Sequence, residues 1–385
     1  MIPDQRDAER FFNSVINTID VATLTHLHLV HWPNWSPGPW DILSQAGLQA
    51  VVVAGRASIA HQVRHEAPHL TVRLDDHPTA WEPSKGILME LPTGREAARY
   101  ALEIARTNLA NQAPLLVFGT HQTGIRAVES RYPGAQNILS KGHLRLVSIP
   151  ADSQYTPPHP SIEPKEAQLP EKEGFFELIG PDTQLKLATF PGIFSWQGPD
   201  PATLLLLSCL ERHNPGKRLL DWGCGNGILG VSLAKRWPET QVVMSDDLCL
   251  ATHCAQKSVE WNGLAQQCQI YTEDGLQGPL QEMRFSTILT NPPRHRGGFP
   301  DATPTHRFIQ KAAQHLSAQG QLWLVANRHP DLGRIMSETL SQVETIADNG
   351  TFKVWRGVHQ APVYPSKKSQ MKTLRLQKKA SRSFG

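Results

Sequence analysis

The segment Asp221-Trp222-Gly223-Cys224-Gly225-Asn226-Gly227 restricts the fold of this chain more than any other. It follows Arg218-Leu219-Leu220, a run of buried-strand type, and opens onto residues 228–236, whose apolar spacing is helical and which Pro238 closes. Glycines at alternate positions permit positive φ and carry no Cβ, so a ligand can lie directly against the backbone at the strand end. The spacing is G-x-G-x-G and no Lys-Ser/Thr follows, which disfavours the dinucleotide fingerprint and the phosphate-cradling loop. Asp246 stands 21 positions after Gly225, at the end of the next strand, where a carboxylate can accept both hydroxyls of a ribose. Together these residues describe a nucleoside-bearing cofactor at the C-terminal edge of a parallel sheet.

Strand and helix patterns alternate on both sides of this turn. After it come strands at 241–245, 268–272, 287–290 and 321–326, helices ending near Asn262-Gly263 and spanning 305–318, and a closing strand at 352–355. Before it, apolar runs at 48–54, 87–91, 115–118 and 144–149 enclose helical patterns such as 96–110. Six prolines within residues 150–170 interrupt any period and mark a linker. The expected fold is α/β with two tandem Rossmann-like domains, the second built on a mixed, mostly parallel sheet. The expected boundaries are a first domain over 1–150, a linker over 151–174, a catalytic domain over 175–360 and a basic tail over 361–385.

Two further strand ends carry chemistry. Asp274 closes the strand after Asp246, where its carboxylate could accept an adenine amino group or simply face solvent. Asn291-Pro292-Pro293 ends the strand at 287–290. Two prolines fix φ and lack N–H groups, so the chain leaves the sheet in a set direction. The Asn291 side-chain oxygen and the Pro292 carbonyl can then converge on one exocyclic NH2 group. Cys224 has no His or acid arranged to activate it and reads as a small packed residue. Cys249, His253 and Cys254 offer donor atoms from one helix with no fourth ligand, so no metal is expected.

The ordered set of Asp221 to Gly227, Asp246 and Asn291-Pro292-Pro293 resembles the class I S-adenosylmethionine-dependent methyltransferases, in the branch acting on planar amide or amino nitrogens. Phe190-Pro191-Gly192-Ile193-Phe194-Ser195, followed by Asp200 and a Leu-rich helix, is similar to the segment preceding the core in the bacterial ribosomal RNA guanine-N2 methyltransferases. Residues 325–329 and 352–355 resemble the closing strands of the same family. The likeness spans about residues 175 to 357. It extends weakly to 115–126, similar to that family's degenerate, methyltransferase-like first domain. It implies S-adenosyl-L-methionine as cofactor, held by Phe194, Ser195, Asp200, Asp221, Gly223, Gly225, Gly227, Asp246, Asp274 and Asn291. It implies Asn291, Pro292, Pro293 and Arg294 at the reacting base. Members usually carry an aromatic residue where this chain has Arg294, whose guanidinium plane can also stack on a base.

Charge is consistent with a polyanionic partner. Net charge is +3, yet nine Lys and Arg and no acid follow Asp348, so residues 1–348 carry −6 and the tail is a cationic arm. The basic loop Arg294-His295-Arg296, with His306 and Arg307 beyond, is expected at the mouth of the site. Five cysteines without a C-x-x-C pair fit a reducing cytoplasm, and no apolar run approaches a membrane span. The expected partner is ribosomal RNA or a ribosomal subunit. Two other functions use parts of the same pattern: methylation of a glutamine amide in a protein, and non-catalytic RNA binding in ribosome assembly. Methyl transfer into total RNA compared with total protein separates all three.

Overall fold

A computed structural model describes residues 5–20, 23–29, 40–47, 51–75, 86–107, 109, 113–154, 175–180, 184–292, 302–327 and 332–359. In chain order the first half holds α1 (Gln5–Ile16), β1 (His26–Leu29), α2 (Trp40–Gln45), β2 (Val51–Ala54), α3 (Ala57–Glu66), β3 (Val72–Leu74), β4 (Ile87–Glu90), α4 (Arg95–Thr107), β5 (Leu115–Thr120), α5 (Ile125–Arg131), β6 (Gln136–Lys141) and β7 (Leu144–Ile149). A hairpin, β8 (Phe176–Ile179) and β9 (Lys186–Thr189), leads into the second half. There follow α6 (Pro201–Leu210), β10 (Arg218–Trp222), α7 (Ile228–Arg236), β11 (Gln241–Asp246), α8 (Cys249–Trp261), β12 (Cys268–Thr272), β13 (Phe285–Thr290), α9 (Ala302–His315), β14 (Leu316–Asn327), α10 (Leu332–Ser337), β15 (Ser341–Asp348) and β16 (Phe352–Val358).

Both halves build the same sheet. Its order is β3-β2-β1-β4-β5-β7-β6 in the first and β12-β11-β10-β13-β14-β16-β15 in the second, with six strands running one way and a single reversed strand, β7 or β16, set between the last two. Apolar residues on both faces of the central strands pack beneath helices, as a parallel sheet requires. None of the described helices is long and apolar enough to cross a membrane.

Three expectations from the sequence change. The helix expected over 305–318 ends at His315, because Leu316 already pairs with Phe285 in the sheet. The strand then bulges through Gln319, at φ 62°, and Gly320, where a Cβ would stand 2.9 Å from the Phe285 carbonyl oxygen. Second, β16 does not close the sheet but inserts between β14 and β15. Third, the sheets contain β1, β3, β6 and β15, which no apolar run announces. The edge strands β6 and β15 are too polar and exposed to carry such a run, and β1 reads His-Leu-His-Leu although His28 is buried.

The halves meet along a seam with local two-fold character. Ala57 N donates to the Asp247 carbonyl at 2.9 Å, and Cys249 N donates to the Gly55 carbonyl at 2.9 Å, framing an antiparallel bridge between Arg56 and Leu248. Strand, two-residue turn and helix start coincide on both sides, so Ala54 occupies the position of Asp246 and Ala57 that of Cys249. The Asp247 carboxylate also accepts from Ser58 N at 2.8 Å, Ser58 Oγ at 3.0 Å and Arg56 Nη1 at 3.2 Å. Arg56, the N-cap of α3, supplies no side-chain cap, so the second half caps that helix from across the seam. Tyr100, Phe175, Phe190, Ile193, Leu248 and Leu250 fill the apolar part of the contact.

Candidate active site

The glycine turn sits at the C-terminal end of β10. Gly223, Gly225 and Gly227 have φ of 78°, 55° and 82°, a region that favours glycine over residues with a Cβ. The three serve different ends. A Cβ on Gly227 would meet Met244 Sδ at 3.2 Å and Ala255 Cβ at 3.3 Å, so this residue lets α7 close on the sheet. Among the described residues, Cβ atoms on Gly223 or Gly225 would meet nothing within 4 Å, which leaves room for a backbone-hugging ligand.

Asp246 organises the same turn. One carboxylate oxygen accepts from Gly225 N at 3.0 Å and the other from Leu248 N at 2.9 Å. Burial raises its pKa, the Leu248 and Gly225 N–H groups and the Arg56 charge act against that, and neighbouring Asp247 adds to it. Each oxygen accepts one amide and keeps a lone pair, a donor set that fits a ribose diol. Asp274 lies one strand further on, in the turn after β12, whose Thr272 pairs with Asp246.

Asp221 supports the turn from behind. It is 1% exposed and accepts from Gly230 N at 2.9 Å. Burial pushes its carboxyl up to about 7, with the Gly230 N–H opposing and the Asp246 charge adding to the rise. The folded state thus holds the proton more tightly than the unfolded chain, so stability falls as pH rises from about 4 to about 7 and is level above. Asp221→Asn keeps an acceptor for Gly230 and abolishes the titration. Between pH 5 and 8 the parent should lose roughly 2 to 3 kcal/mol relative to the variant in denaturant unfolding. Parallel pH profiles would show that Asp221 is ionised throughout. Cys224 shares this environment: burial first, then Asp246 and Asp221, push its thiol far up, which agrees with a packed, unreactive residue.

Asn291 follows β13, the neighbour of β10, in which Leu289 pairs with Asp221, so Asn291 leaves the sheet at the same edge as the glycine turn. Its Nδ2 donates to Asp200 Oδ2 at 3.0 Å and to Thr203 Oγ1 at 2.9 Å. Asp200 is also the N-cap of α6, accepting from Thr203 N at 2.9 Å. Both partners are acceptors towards Nδ2, so the carboxamide cannot flip without setting its oxygen against a carboxylate, and Oδ1 is directed to the other side. The family resemblance assigns Asp200 to the cofactor; its contacts here make it the anchor of Asn291, and Thr203 is a member that no motif announces.

Ser195 lies at φ 56°, and Phe194 beside it is 60% exposed, an unusual position for a large apolar side chain. Pro292 is half-buried at the strand exit. Pro293, Arg294 and the loop around His295 and Arg296 fall outside the described residues, as does the tail from residue 360. His306 pairs with Glu338 at 2.6 Å. No sequence signal marks Trp222 and Phe308, whose rings stack at 4.0 Å and 15°, fastening α9 to the end of β10.

A family model described as "Methyltransferase small domain" matches residues 184–356. Curated relatives bear the name ribosomal RNA small subunit methyltransferase C. That of Pseudoalteromonas atlantica is 37% identical over 274 residues, covering 70% of this chain and 76% of its own. That of Pseudomonas syringae pv. syringae is 32% identical, covering 69% and 76%. Among solved structures, the T. thermophilus 16S rRNA N2 G1207 methyltransferase (RsmC), in complex with AdoMet and guanosine, superposes with a TM-score of 0.72 over 92% of each chain at 21% identity, which shows a shared fold.

Proposed function

The chain belongs to the ribosomal RNA small subunit methyltransferase C family, and on that premise we propose that its second half transfers a methyl group from S-adenosylmethionine to the exocyclic N2 of a guanine in ribosomal RNA. The observation that carries this reading is the fixed carboxamide of Asn291, at the sheet edge that also bears the open glycine turn. The cofactor supplies an electrophilic methyl group, so the protein's share of catalysis is to place a nitrogen in line with it. Guanine N2 is a weak nucleophile because its lone pair is delocalised into the ring. Accepting one N–H at Asn291 Oδ1 and the other at the Pro292 carbonyl favours the pyramidal nitrogen and aims its lone pair. The surplus proton leaves after transfer, so no strong base is needed. Asp246 would hold the ribose, Asp274 the adenine edge, and Phe194 and Ser195 the rim.

The test is transfer of labelled methyl from S-adenosylmethionine into small-subunit RNA from cells lacking this protein, followed by digestion to nucleosides. Label in N2-methylguanosine is expected. Label confined to protein glutamine would replace this reading with the amide one, and no transfer to either would leave an RNA-binding role.

Reaching N2 in stacked RNA requires an unpaired or extruded nucleotide, at a cost of a few kcal/mol. Phosphate contacts from the cationic tail are proposed to offset that cost. Deleting residues 366–385 should weaken RNA binding and flatten the dependence of log affinity on log salt by about 0.7 to 0.9 per lost contact. Identical slopes for both forms would remove the tail from RNA capture.

A further inference from the structure

We propose that Asp75, Cys249 and His253 form a zinc-type metal site that staples the two halves together beside the cofactor turn. Cys249 and His253 are the first and fifth residues of α8, a spacing that puts both on one helix face. Cys249 Sγ and His253 Nε2 are 3.8 Å apart. Asp75, just beyond β3 of the first half, brings a carboxylate oxygen to the same point, so that the three donor atoms all lie within 4.8 Å of one another. A tetrahedral zinc with Zn–S of about 2.3 Å and Zn–N of about 2.0 to 2.1 Å separates sulfur from nitrogen by about 3.6 Å. Sulfur and nitrogen already stand near that spacing; closing on an ion asks the Asp75 carboxylate, which also pairs with Arg73 at 3.1 Å, to move inward by up to about 1 Å.

The donor set suits a zinc-type ion, and Cys249 presents its sulfur from the buried first turn of α8. Thiolate, imidazole and a single carboxylate select zinc-class ions over magnesium or calcium, and three protein ligands leave the fourth position to water. Cys254, the other thiol of this helix, belongs to the apolar cluster at the seam and takes no part.

The two-fold character of the seam supplies an internal control. His61 is the fifth residue of α3, as His253 is of α8, and it faces Glu273 at 3.9 Å. Glu273 N donates to the Asp246 carbonyl just as Asp75 N donates to that of Ala54. The carboxylate and imidazole therefore occur twice, but the mate of Cys249 is Ala57. The thiol is thus the one donor that the corner at Cys249 adds to the pair its mate also has. The staple would tie the end of β3 to the start of α8, three residues from Asp246.

The experiment uses the full chain, stripped with a chelator and titrated with Co2+ and then Zn2+. The expected result is one equivalent of Co2+ with a thiolate-to-cobalt charge-transfer band that Zn2+ abolishes, and a melting temperature raised by Zn2+. Cys249→Ala, which places at this position the residue its mate already has, should lose the band and the Zn2+ effect while keeping the parent's far-ultraviolet circular dichroism. Asp75→Asn keeps the thiol and should weaken Co2+ binding about tenfold or more. Failure to bind one equivalent, or a band that survives Cys249→Ala, would overturn the proposal and leave this corner a polar contact like that of His61 and Glu273.

Discussion

Asn291→Ala should bind S-adenosylmethionine about as tightly as the parent and transfer its methyl group some 10²- to 10³-fold more slowly, the range seen when one preorganised polar group is removed from a reacting centre. The expectation rests on the anchoring of the side chain: Asp200 and Thr203 hold Nδ2, so the lost atom is Oδ1, which faces away from that pair. Single-turnover rates at saturating cofactor measure the effect without interference from product release. Thr203→Val adds a finer test. It removes one of the two anchors and leaves Asn291 in place, so a partial loss of rate is expected with the same cofactor affinity. If Asn291→Ala were as fast as the parent, the turn after β13 would be a structural exit from the sheet and nothing more.

Asp246→Ala should act on the opposite quantity. A charge-assisted hydrogen bond is worth roughly 1.5 to 3 kcal/mol, so cofactor affinity should fall by about one to two orders of magnitude in calorimetry. The carboxylate also receives Gly225 N and Leu248 N, and its removal leaves two backbone donors without their acceptor. Asp246→Asn is therefore no milder substitute, because one end of the amide would present N–H to a backbone N–H. Unchanged affinity in the alanine variant would place the ribose elsewhere.

The cofactor turn is legible in the sequence because its signal is local. Glycines at alternate positions between an apolar strand and an apolar helix suit a turn that hugs a ligand and little else, and the acid at the end of the following strand stands at a fixed distance. What stays hidden depends on pairing across the chain. Asp200 enters the sequence reading only through a family resemblance; that it caps α6 and orients Asn291, 91 residues away, only folding reveals. Asp75 likewise gives no sign of meeting Cys249 and His253. The exposed edge strands are silent because a half-solvated strand has no apolar run to betray it, and β14 reads short because the bulge at Gln319 and Gly320 looks like a break.

The bridge joining Arg56 and Leu248 is made by main-chain atoms alone. Any L-residue other than proline supplies the same amide and carbonyl, so this part of the contact places almost no restriction on the side chains that flank it. The two halves can therefore differ in side chains along this line and stay docked by the same frame: alanine stands at position 54 where the other half has the acid Asp246, and the bridge forms beside either residue.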